Sequence, residues 1–182
     1  NIKFNSIDEV NDISTRNQWN NWTKAGLSLE QKLAGLSYSR DQNRLPMQWD
    51  DSEKAGFTEE GTPWLPINPN HAEINVAVQK NDPDSILSYY KKLIRIRKDS
   101  AVAEALSLGD FNPALLEYGD LIAYKRIGES SSALVINNYK KESQEVLLPC
   151  SVKRVVLSNY DEVEVSGDKL VLKPYQAVVF EV

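Results

Sequence analysis

Cysteine, histidine and long apolar runs are what this sequence has least of. One cysteine, Cys150, stands in 182 residues. It excludes an internal disulfide, suits a reducing cytoplasmic compartment, and is expected to be a partly buried bystander. The single histidine, His71, lies in an Asn-Pro-Asn-His loop and is expected to be exposed and inert rather than a general base. There is no Cys/His cluster, no Asp-x-Asp-x-Asp-Gly loop and no phosphate-cradling Gly-rich motif, so no metal and no cofactor is expected. No stretch approaches the roughly 20 apolar residues that span a bilayer, and no signal peptide is visible. Acids outnumber bases 26 to 21, giving a net charge of −5. The longest basic cluster, Lys91 to Lys98, is interleaved with apolar residues and reads as the wet face of a helix. No nucleic-acid partner and no membrane partner is therefore expected.

What is present centres on Ser39 to Trp64, SRDQNRLPMQWDDSEKAGFTEEGTPW. This stretch has neither a helical nor a strand period, which marks a disordered segment or a functional loop. Leu45, Met47, Trp49, Phe57 and Trp64 carry too much apolar surface for disorder. Pro46, Gly56, Gly61 and Pro63 divide it into tight turns. The expectation is an ordered, polar, loop-built site with aromatic anchors.

On either side the pattern changes twice. Ser6 and Glu9 fit a capping box opening a short helix, and Ser28 to Leu33 suggest a second helix ended by Gly35. Trp19 and Trp22, three apart, could share one helical face; docking on a neighbouring structure is favoured over sugar stacking. Asp82 as N-cap with Pro83 at the first position predicts a helix over 84–99. Ile86, Tyr89, Tyr90, Leu93 and Ile94 would form its apolar face. From about Ala114 the period becomes two. Strands are expected at 115–118, 121–126, 132–137, 144–148, 154–158, 162–165, 170–173 and 177–182, an antiparallel sandwich or small barrel.

The central stretch resembles the RDN-x-R-TPMQWDD-x-x-x-AGF segment of the α-glucosidase branch of glycoside hydrolase family 13. That branch includes oligo-1,6-glucosidases, dextran glucosidases, trehalose-6-phosphate hydrolases and isomaltulose synthases. The likeness runs on through Pro63-Trp64, Asn68-Pro69-Asn70, Ile74-Asn75-Val76 and Tyr89 to Ile94, and is fainter beyond. One departure is Leu45 where the family has threonine, which removes a hydroxyl from the loop. The resemblance implies an α+β fragment: helices and loops from the end of a TIM barrel over 1–105, then an antiparallel β-sandwich C-terminal domain over 106–182. A first residue that is not Met, in polar helix-like sequence, agrees with a piece of a longer protein.

Retaining glycoside hydrolysis needs two carboxylates about 5–5.5 Å apart. Adjacent acids such as Asp50/Asp51 or Glu59/Glu60 rarely aim both side chains at one sugar, so turn and cap roles are favoured for them. The family's catalytic trio lies on earlier barrel strands, and its Asn-His-Asp signature is absent here. A barrel alone also needs about 200–250 residues. No catalytic residue is therefore expected in this chain, and a missing catalytic barrel is its implied partner. What the resemblance carries over is Arg40, which would reach the non-reducing glucose, pair with an upstream aspartate and close the end of the pocket. A guanidinium fork can hold sugar and carboxylate at once. Asp41 and Arg44 would border the neighbouring sugar. An internal salt-bridge network is the alternative for all three. The implied activity is exo-acting hydrolysis of α-1,6 bonds in an oligosaccharide substrate, with a trehalose-6-phosphate hydrolase or a sucrose-type glucosidase or isomerase as the alternative. The β-domain would serve as a cover for the barrel or, if it presents a row of exposed aromatics, as a carbohydrate-binding module.

Overall fold

The computed structural model describes residues 1–113 and 121–182, which divide into two compact units, Asn1–Leu87 and Ser88–Val182. The expected strand at 115–118 lies outside the described residues. None of the described helices is long and apolar enough to cross a membrane.

In the first unit, Ser6 opens a single 3-10 turn, Ile7–Glu9, with its hydroxyl accepting from the Asp8 N–H. The Glu9 carboxylate reaches back one residue further than a capping box would, to the Asn5 N–H. Helix α1, Ile13–Lys24, starts at Asp12, whose carboxylate accepts from Thr15 N–H. Helix α2, Leu29–Gly35, carries a full capping box between Ser28 and Gln31, satisfying two otherwise orphaned N–H groups. Trp19 and Trp22 lean on a core of Phe4, Val10 and Leu36 within their own unit. The Trp22 ring lies so close to Gly35 that a β-carbon there would collide with it. That contact explains a glycine inside the last turn of α2.

The loop that follows is ordered by hydrogen bonds rather than by a period. The chain turns at Ser39 into a 3-10 segment, Arg40–Arg44, with Ser39 Oγ accepting from Asp41 N–H. Trp49 N–H and Ala55 C=O close a tight loop at 2.8 Å. Inside it Ala55 and Gly56 both have positive φ, 53° and 63°. Asp50 braces this loop by accepting from Ser52 N–H at 2.9 Å. Val76 and Ala77 donate to Gln48 and Trp49 carbonyls, each at 3.0 Å, so the loop is stitched to the start of α3, Val76–Asn81. His71 is half-buried rather than exposed, in a 3-10 turn at Pro69–Ala72, with Nδ1 3.0 Å from the Asn68 carbonyl.

Helix α4, Ile86–Asp99, confirms the predicted helix but starts later. Asp82 instead ends α3 and accepts from the Asp84 N–H at 2.9 Å, an Asx turn that precedes α4 rather than capping it. Ile86, Tyr90 and Ile94, four apart along α4, are 71%, 61% and 52% exposed.

Among the described residues, the second unit adds α5, Ala103–Leu108, and eight strands: β1 Asp110–Pro113, β2 Leu121–Ile127, β3 Ser132–Asn138, β4 Gln144–Leu147, β5 Arg154–Ser158, β6 Glu164–Ser166, β7 Lys169–Leu172 and β8 Ala177–Glu181. They form an antiparallel five-stranded sheet in the order β1-β2-β3-β8-β5 and a three-stranded sheet β4-β7-β6. Leu134, Ile136, Val178 and Phe180 of the larger sheet meet Val146, Leu170 and Leu172 of the smaller one. Alternation along each strand produces this two-layer core. A second cluster of Val102, Leu106 and Ala133 seats α5 on the sheet. The Glu104 carboxylate accepts from the Glu129 N–H at 3.0 Å, fixing α5 to the β2–β3 turn. β1 was not foreseen: Asp-Phe-Asn-Pro carries little strand signal.

Candidate functional site

The 3-10 turn at Arg40–Arg44 sends its first two residues in opposite directions. Asp41 is fully buried. One of its carboxylate oxygens accepts from the Asn11 N–H at 2.6 Å and the Asp12 N–H at 3.0 Å, while Oδ1 has no hydrogen-bond partner among the described residues. Asp41 thereby pins the entry to α1 and sets the position of Asp12. The Arg40 side chain is 60% exposed, and its Nε and Nη2 reach Asp12 Oδ1 at 3.0 and 2.7 Å. The other Asp12 oxygen accepts from Thr15 Oγ1 at 2.7 Å and from the Thr15 N–H. One buried carboxylate therefore caps α1 and orients the guanidinium. Two of the five guanidinium donors are spent on it, leaving three for a ligand.

The electrostatics follow this geometry. The Arg40 hydrogen bond, then that of the Thr15 hydroxyl, holds the Asp12 carboxyl far below the ordinary carboxylate range against the opposing effect of burial. Arg40 moves up in turn, chiefly through its hydrogen bond to Asp12, with a smaller push from Asp41. Both are charged at neutral pH.

Arg40 opens onto a cleft of about 250 Å³ lined by Asp12, Ser14, Thr15, Gln18, Trp22, Gly35, Tyr38 and Arg40. Tyr38 is 90% exposed. A fixed cation, amide and hydroxyl groups and two aromatic rings are the donors and faces that bind a sugar. The lining includes neither Asp41 nor Arg44; Arg44 is exposed at the far end of the turn. Of the expected trio, the structure brings only Arg40 to the cleft. Asp12 was missed, although its place before Ile13-Ser14-Thr15 is an N-cap signature. Tyr38, two residues before Arg40, carried no signal of its own.

Cleavage needs more than this cleft holds. Its lining has one carboxylate, Asp12, already engaged by Arg40. A general acid needs a raised pKa. Among the described residues, the carboxyls that depart clearly from ordinary values, Asp12, Asp50 and Glu104, all move down. Asp50 does so mainly through the Ser52 hydroxyl. The cleft offers donors and aromatic faces, but its lining holds no nucleophile and acid pair.

Residues 7–105 match the family model of the alpha amylase catalytic domain, and residues 121–179 match that of the alpha-amylase SusG C-terminal domain. An oligo-1,6-glucosidase of Halalkalibacterium halodurans is 38% identical, over 99% of this chain and 32% of its own length. A glucan 1,6-alpha-glucosidase of Streptococcus pneumoniae is 37% identical, over 100% of this chain and 33% of its own. The crystal structure of the isomaltulose synthase SmuA from Protaminobacter rubrum superposes with a TM-score of 0.88 at 34% identity, covering 100% of this chain and 33% of that one. The chain spans about a third of the length of the curated relatives it matches.

Proposed function

The chain belongs to the alpha-amylase family, and from that premise we propose that it forms the C-terminal portion of an exo-acting, retaining α-glucosidase. The substrate on this reading is an isomalto-oligosaccharide or dextran end, cleaved at its α-1,6 bond in the cytoplasm. The nucleophile and the acid/base carboxylate lie outside these residues. Residues 1–105 complete the barrel, and residues 106–182 form the C-terminal all-β domain. The observation that carries the proposal is Arg40: an exposed guanidinium locked by a buried carboxylate, with donors to spare. In this role it holds the non-reducing glucose and closes the end of the pocket, so that one glucose leaves per cleavage. Arg44 would border the next sugar from the solvent side of the turn. Asp41 would act from beneath, by holding Asp12.

The test is a chimera in which residues 1–182 follow the upstream two-thirds of the Halalkalibacterium enzyme. Removing a charged hydrogen bond to substrate costs about 1.5–3 kcal/mol. Arg40→Ala should therefore lower kcat/KM for isomaltose by about 10- to 100-fold. An unchanged kcat/KM would refute the role given to Arg40. The likeness to isomaltulose synthases favours one further outcome, transfer of the glucosyl group to a sugar instead of water. Product analysis with sucrose as substrate distinguishes the two.

A further inference from the structure

Three exposed tyrosines on loops of the second unit are left over by the proposed function. Tyr139 follows β3, Tyr160 follows β5 and Tyr175 precedes β8; they are 62%, 37% and 55% exposed. Their loops are laced together. Tyr175 N–H donates to the Lys140 carbonyl at 3.1 Å, Asn159 Nδ2 donates to the Tyr175 carbonyl at 3.0 Å, and Tyr160 Oη donates to the Pro174 carbonyl at 2.8 Å. Lys173 Nζ sits 5.6 Å from the Tyr160 ring centre, which fixes that ring further.

Tyr175 also has a backbone φ of 56°, in the left-handed region that glycine fills at lower cost. A large aromatic is thus held at a strained position with its ring more than half exposed. Strain of this kind at an exposed side chain is a pointer to a site.

The surroundings say what such a site would accept. Lys140, Lys141 and Lys173 are balanced by Glu142, Asp161 and Glu162, and Lys173 lies 3.7 Å from Glu162. This charge balance gives no field to draw an ionic ligand. The one aliphatic residue of these loops, Val163, packs into the core, which removes the anchor that a protein partner would use. Exposed tyrosines set among hydroxyl, amide and balanced charged groups fit a neutral polar ring with one apolar face, and a pyranose is such a ring.

We propose that this loop end is a stacking platform for an α-linked glucan chain, separate from the Arg40 cleft. The choice of an α-glucan rests on the function proposed above; the aromatic platform itself does not. Its role would be to hold a long substrate near the enzyme, so that chain length rather than bond cleavage depends on it.

The test is electrophoresis of the 182-residue chain through gels with and without soluble dextran. The unaltered chain should be retarded by dextran, with Tyr175→Gly and Tyr139→Ala each weakening the apparent affinity at least about fivefold. Tyr175→Gly suits the left-handed backbone, so its circular dichroism and Tm should show a folded protein. No retardation of the unaltered chain would overturn the platform and leave the Arg40 reading intact, because that reading is tested by hydrolysis in the chimera. Retardation that survives both tyrosine substitutions but falls with Arg40→Ala would place binding in the cleft and equally overturn it.

Discussion

Replacing Asp12 by alanine removes two things at once, and the structure says which matters more. The first is the cap of α1, made by a carboxylate whose side chain is 2% exposed and which accepts from both the N–H and hydroxyl of Thr15. Losing such a cap costs about 1 kcal/mol, with a range of about 0.5–2. The second is the pair with Arg40, whose partner side is 60% exposed. Solvent screens that end, so its share should be smaller than the cap's. Asp12→Asn keeps a good cap and removes the charge, so it should cost less than half as much as Asp12→Ala. All four tryptophans, Trp19, Trp22, Trp49 and Trp64, lie in the first unit, and their fluorescence in urea reports its unfolding alone. A pH series separates the charge further. The Asp12 carboxyl is depressed in the folded state against about 3.9 in the unfolded chain. Its charge therefore stabilises fully above about pH 5, and that contribution is lost as pH falls below about 4. The gap between the unaltered chain and Asp12→Asn should shrink over that window. If Asp12→Asn costs as much as Asp12→Ala at pH 7, with no narrowing in acid, the division between cap and charge is wrong.

Other expectations follow from single features. Gly56→Ala places a β-carbon 2.6 Å from an Asp50 carboxylate oxygen at a φ of +63°; it should destabilise the first unit by about 1 kcal/mol or more, seen as a lower urea midpoint by tryptophan fluorescence. Phe180→Ala empties the centre of the sandwich, where Phe180 is fully buried, and should cost the second unit about 3–5 kcal/mol by circular dichroism. The exposed stripe of Ile86, Tyr90 and Ile94 should drive concentration-dependent self-association of the 182-residue chain in light scattering. Tyr90→Ser with Ile94→Lys should reduce it, and a monomer at every concentration would contradict that reading.

Local patterns were legible in the sequence where a few neighbouring residues decide them. The Ser28–Gln31 capping box, the helix ending at Asp99 and strands β2 to β8 all follow from spacing within about ten residues. The start of α4 was misplaced because Asp82-Pro83 satisfies an Asx turn as readily as an N-cap, and what precedes it, α3, decides between them. The site was half legible. The motif pointed to Arg40, yet the carboxylate that orients it, Asp12, is 28 residues away, a pairing that no local rule predicts. Asp41 shows the same limit. An acid beside Arg40 reads as a sugar ligand until the fold turns it inward against the Asn11 and Asp12 N–H groups. The exposed aromatics of the β-domain were countable in the sequence; their gathering at one end depended on which loops the two sheets bring together.

The central claim is that these residues grip a sugar but do not cleave it. Glucose release from isomaltose, measured side by side for the purified 182-residue chain and for the chimera with an upstream barrel, tests it most directly. The account predicts no release above buffer from the chain alone and steady release from the chimera. Robust turnover by the chain alone, abolished by substituting an Asp or Glu within residues 1–182, would contradict it.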